Sequence, residues 1–97
     1  MADRFQALRQ AISRAVLHGP GLTAPALRQA VASGDPPVPL AALVGKIRKA
    51  PWSVSDADVA ELRSDFGEDE LFEIVVATSV GEAERELALA LRAMEDA

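Results

Sequence analysis

From residue 69 to residue 94 the chain repeats apolar side chains at steps of three and four over more than six helical turns, and no proline interrupts the run. Phe72, Val75, Val76, Ser79, Ala83, Leu87, Ala90, Leu91 and Met94 carry the stripe. A strand would suit the β-branched or small residues Ile74-Val75-Val76 and Thr78-Ser79-Val80, but it accounts only for the middle of the segment, whereas a helix accounts for all of it. In a chain of 97 residues one helix of that length fixes the class: a single domain over residues 1–97, all-α, with the other elements arranged around it. Composition agrees. Hydrophobic residues make up 49% of the chain and aromatic ones only 4%, so Ala, Leu and Val must build the core, and these suit helices better than sheets.

The shorter elements are delimited by their stops. Phe5, Leu8, Ile12, Ala15 and Val16 form one stripe on a first helix, ended by His18-Gly19-Pro20-Gly21. Thr23 is expected to cap a short second helix with Pro25 in its first turn and Leu27 and Val31 facing inward, closed by Gly34. Residues 34–39, GDPPVP, read as an extended, proline-stiffened connector. Leu40, Leu43, Val44 and Ile47 share one face of a third helix, whose last turn carries Lys46, Arg48 and Lys49, the sign that suits a helix C-terminus. Ser55 with Asp58 three residues on is a capping box for a fourth helix, with Val59 and Leu62 inward and Gly67 as its break. Glu68, Asp69 and Glu70 then open the long helix at its positive end. The sum is about five helices in a small orthogonal bundle. Ala77 and Gly81, four apart, are expected to let a neighbouring backbone approach closely.

Net charge is −5, unevenly spread. Residues 1–50 hold seven Lys/Arg against two Asp/Glu, and residues 51–97 hold three against thirteen. The polarity is expected to be balanced within the fold, with pairing between copies or with a basic partner as the alternatives. Lys46, Arg48 and Lys49 are too small a basic cluster for nucleic-acid binding. With no cysteine, disulfides, thiolate nucleophiles and Cys-type metal sites are excluded. The longest apolar-rich stretch is ten residues and contains Glu73, well short of the ~20 that span a bilayer, and the N-terminal segment does not read as an export signal. A soluble, cytoplasmic protein is expected, with no membrane partner.

Pro51-Trp52, Val54 to Arg63, Glu68 to Ala77 and Arg85 are arranged in an order and spacing that resemble the second half of AhpD-like alkylhydroperoxidase and carboxymuconolactone decarboxylase family proteins. About half of the chain is covered. The resemblance implies an all-helical AhpD-like half-domain with a long C-terminal helix and oligomer-forming helices. It does not carry the family's chemistry over. The Cys-x-x-Cys pair and its nearby histidine are absent, and the turn SDFGED departs from the family pattern. No peroxidase activity is expected, and no family catalytic residue is assigned here.

His18, the one histidine, is a weak candidate for a base or ligand, since the sequence supplies no residue to orient it; a favourable place at a helix C-terminus is the plainer reading. Glu82 and Glu86, four apart, could pair for a metal or for acid/base work, but an ion-pair cluster centred on Arg85 is favoured. Trp52 is expected to plug the core, an exposed anchor for a partner being the alternative. The residues therefore point to a non-enzymatic helical protein with no catalytic, cofactor or metal residues, acting as a homo-oligomer or as a module that binds another protein. Phe72, Val76, Ala83, Leu87 and Leu91 are expected to form the core and interface, with Arg85 setting orientation. A thiol-independent decarboxylase-like enzyme or small-ligand binder using Glu and His is the alternative, and an accessory subunit docking its acidic half on a basic partner is a third.

Overall fold

The computed structural model of the chain describes residues 2–96. Five helices follow one another: α1 (Ala2–His18), α2 (Pro25–Ala32), α3 (Ala41–Lys49), α4 (Asp56–Ala60) and α5 (Glu68–Asp96), with 3-10 turns at Val38–Leu40 and Pro51–Ser53. No strand occurs among the described residues. The connector expected over 34–39 is extended only at 35–37, because Gly34 closes α2 and Val38 already enters a 3-10 turn that delivers Leu40 to the core.

α5 is the spine. It packs most extensively on α2, next on α3, and more lightly on α1. The core joins Val31 of α2, Leu40, Leu43, Val44 and Ile47 at and in α3, Leu62 after α4, and Leu71, Ile74 and Ala77 of α5. The face α5 turns inward is thus Leu71, Ile74, Ala77, Thr78 and Glu82. This corrects the core role expected of Phe72, Val76, Ala83, Leu87 and Leu91. One residue along a helix is a rotation of about 100°, and that stripe points away from the core. Thr78 is fully buried, its hydroxyl donating to the Ile74 carbonyl at 2.7 Å, so no polar atom is stranded there.

Twenty-nine residues at about 1.5 Å each make α5 about 44 Å long, which accounts for the longest molecular dimension, 46 Å. The radius of gyration, 14.6 Å, exceeds the ~12.5 Å of a compact chain of this length because α5 outruns the body. From Ala88 to Asp96 every residue is exposed. α1 runs antiparallel to α5: Ala15, Val16 and Pro20 lie across a groove from Phe72 and Val76, while Ile12 and Ser13 lie across from Ala83 and Leu87.

Local chemistry sets the junctions. Gly34 takes φ +81°, the left-handed region that a β-carbon disfavours, and around it Asp35 N–H donates to Ala30 O and Gly34 N–H to Val31 O, closing α2. Ser55 and Asp58 form the reciprocal capping box of α4. Thr23 does not cap α2. The N-cap is Ala24, without a side-chain bond, and the Thr23 hydroxyl is turned instead toward α5. Trp52 does not plug the core either: it is 83% exposed on the 3-10 turn, while Val54, Val59 and Phe66 fill the edge of the core nearby. No helix among the described residues is long and apolar enough to cross a membrane.

Candidate functional site

The outward stripe of α5 has a counterpart on α1. Phe5 is 72% exposed, Phe72 69% and Met94 74%, and Leu8, Ile12 and Leu91 are each about half exposed or more. Because α1 and α5 are antiparallel neighbours, these side chains belong to one two-helix surface, furrowed by grooves of about 190 Å³ beside Ile12, Ala83 and Leu87 and about 180 Å³ beside Val16, Phe72 and Val76. Single exposed apolar side chains are ordinary on a protein surface; here several large ones lie on two neighbouring helices. The structure therefore gathers Phe72, Val76, Ala83, Leu87 and Leu91 on one face, and adds Phe5, Leu8 and Ile12 to it.

Arg85 is not on that face. It turns toward α3, where Glu82, only 8% exposed, is bound by two arginines: Arg85 Nε donates to Oε2 at 3.1 Å and a terminal Arg85 nitrogen to Oε1 at 2.5 Å, while Arg48 Nε donates to Oε2 at 3.1 Å. The Arg85 bonds first and the Arg48 bond after them hold the Glu82 carboxyl at a pKa of about 2 against the opposing cost of desolvation. The cluster is centred on the glutamate rather than on the arginine. Both Glu82 oxygens are committed to guanidinium groups, so a Glu82–Glu86 metal pair lacks its first ligand; Glu86 adds only a nearby negative charge that helps raise Arg85. No group of three His, Cys, Asp or Glu residues among the described residues is arranged to hold a metal.

A second buried polar assembly lies at the other end of α5. Glu73 accepts from Leu22 N–H at 2.8 Å, Thr23 N–H at 2.9 Å and the Thr23 hydroxyl at 2.7 Å, which lowers its pKa to about 2, with the Thr23 hydroxyl the largest cause. Beside it Arg28, 3% exposed, donates to the carbonyls of Val16, Gly19 and Thr23. The positive charge thus sits on the negative end of α1 and ties the α1–α2 turn together. The helix-end role expected of His18 belongs mainly to Arg28. With Lys46 bound to both oxygens of Asp58 at 2.9 Å, the Arg48–Glu82 and Thr23–Glu73 links join the basic first half to the acidic second within one chain.

His18 has an orienting partner after all, and the sequence hid it. Gln29 Nε2 lies 3.0 Å from His18 Nδ1, a hydrogen bond that fixes the orientation of the ring. Arg28 and Gln29 were both unmarked in the sequence because α2 reads as a plain amphipathic helix. The available signal was position: Arg28 is three residues before Val31 and so shares its buried face.

Comparison with known protein families, with curated proteins and with solved structures returns no match for this chain.

Proposed function

We propose that this protein is a non-enzymatic helical interaction module that associates with a second copy of itself through the α1/α5 apolar face. The observation that carries this reading is the two-helix surface itself, with Phe5, Phe72 and Met94 each more than two-thirds exposed in a chain too short to cover them. Charge supports a copy of the same chain as the occupant: α1 carries the exposed Arg4 near its start, and the α5 overhang carries Glu95 and Asp96. Two antiparallel helix pairs laid face to face about a two-fold axis form a four-helix arrangement, which closes the surface rather than passing it on to a third copy. The AhpD-like relationship enters as an inherited helical scaffold from which the thiol chemistry is missing, since the chain has no cysteine.

Molar mass by light scattering, over a tenfold dilution and at two salt concentrations, tests the reading. A dimer that persists through the dilution is the expected result. A mass of 10.3 kDa under every condition overturns it.

A further inference from the structure

The opposite flank of α1 carries a different surface. A cavity of about 590 Å³ there is a groove bounded by Arg9, Arg14 and His18 on α1 and by Glu84, Ala88 and Leu91 on α5, with Gln10 and Ser13 on its wall. That volume falls within the ~300–1,000 Å³ usual for small-molecule sites. The groove is separate from the Glu82 cluster and borders the apolar face: Leu91 belongs to both, and Arg9, Ser13 and Glu84 lie on the shared ridge.

Three observations converge on its chemistry. First, Arg9 and Arg14 make no ion pair among the described residues, although the chain holds fifteen acidic residues. Arg28, Lys46, Arg48 and Arg85 all have their charged ends committed to carbonyls or carboxylates. Second, the groove carries two fixed positive charges against the single carboxylate of Glu84, so its sign is opposite to that of a chain with net charge −5. A concave patch of contrary sign concentrates counter-ions. Third, the Gln29 bond engages His18 Nδ1, so Nε2 is the ring nitrogen left for a ligand at the end of the groove. The Arg9 and Arg14 guanidinium groups, the Ser13 hydroxyl and the Gln10 amide supply further donors, and Ala88 and Leu91 supply an apolar side.

We infer that this groove binds the oxyanion group of a small organic acid, a carboxylate or a phosphate, with Arg9, Arg14 and His18 as its donors and the apolar part of the ligand against Ala88 and Leu91. Guanidinium forks match either oxyanion with paired N–H donors, and the bonds are charge-assisted. The site needs no second copy: its donors all come from α1 of one chain, and of the apolar face it touches only Leu91.

Two probes test it on the full chain, hexanoate and inorganic phosphate, each titrated at constant ionic strength against chloride. The readout is the NMR shift of the Arg side-chain Nε–H signals and of the backbone amides of residues 9–18 and 84–91. Saturable shifts in those two segments with at least one probe are expected, and Arg14→Gln should weaken that binding about tenfold, the loss of one charge-assisted hydrogen bond. Arg14 is exposed, so its replacement leaves the core intact. Arg63→Gln, an exposed arginine after α4, should leave the affinity unchanged. Hexanoate binding more tightly than phosphate assigns a carboxylate with an apolar body, and the reverse assigns a phosphate. Shifts that chloride reproduces, shifts spread over the whole surface, or equal binding by wild type and Arg14→Gln each overturn the inference. A monomeric mass in the light-scattering experiment leaves this test untouched, so the two readings fail separately.

Discussion

Gly81 of α5 runs against Ala32 of α2 so closely that a β-carbon on Gly81 would lie 2.6 Å from the Ala32 Cα, with the Ala32 carbonyl closer still. Backbone, unlike the end of a side chain, cannot step aside, so the expected gain of up to about 1 kcal/mol from replacing a helical glycine by alanine is reversed here by overpacking. Gly81→Ala should lower the melting temperature by several degrees, at ~4–8 °C per kcal/mol for a domain of this size. Gly45, in α3, has nothing within 4 Å of the same added carbon. Gly45→Ala should therefore raise the melting temperature. Calorimetry on the pair checks both signs, and a stabilised Gly81→Ala would show that α2 and α5 do not touch as described.

Arg28 is expected to be among the most sensitive positions in the chain. Arg28→Met keeps the stem but leaves the carbonyls of Val16, Gly19 and Thr23 without their donor in a part-buried turn. Orphaned polar groups cost about 1–3 kcal/mol each, part of which water recovers where the turn is open. A loss of about 3 kcal/mol is expected in denaturant unfolding, with faster hydrogen exchange in residues 16–24. A variant as stable as wild type would mean that the guanidinium holds nothing.

Single-faced elements were legible from sequence. Leu40, Leu43, Val44 and Ile47 lie on a short helix with one apolar side, so spacing alone determined which residues are buried. The Ala77/Gly81 pair was equally readable, because small residues four apart have one packing use. α5 was not, since it carries two apolar stripes about 100° or more apart: the longer one is outside, and the shorter, Leu71–Ile74–Ala77–Thr78, meets α2 and α3. Periodicity counts stripes without saying which is covered. Thr23 read as a cap because its local role was visible, while its partner Glu73 lies 50 residues away. Trp52 failed for a related reason. Size favours burial, but the 3-10 turn that holds it presents the ring to solvent; its fluorescence should be that of a solvated indole and should respond fully to a soluble quencher.

Acid should weaken the fold through Glu73 and Glu82 in particular. Each has a native pKa of about 2, below the ordinary 4.5, so the unfolded chain binds the proton more readily than the folded one. Their contribution is present above about pH 4.5 and is lost as the pH falls toward 2. Glu73→Gln should lower stability at pH 7, because an amide nitrogen would then face the Leu22 or Thr23 N–H, and it should flatten the acid slope. Chemical unfolding at pH 7, 4.5 and 3 measures both effects. A variant whose slope between pH 4.5 and 3 matched wild type would remove Glu73 from the account.

The apolar face gives the most direct contrast between a folding role and an association role. Ile12 and Leu87 flank one groove between α1 and α5 and are not core residues. A double replacement, Ile12→Glu with Leu87→Glu, should leave the helical circular dichroism nearly unchanged at low protein concentration. Covering such side chains is worth about 1.5–3 kcal/mol each, and they recur on both copies of a two-fold interface, so dissociation should strengthen by at least a hundredfold. Sedimentation velocity should then show a monomer where the wild type is expected to sediment as a dimer. Loss of helix along with the dimer would instead mean that the face stabilises the fold of each chain, and an unchanged dimer would move the contact to another surface.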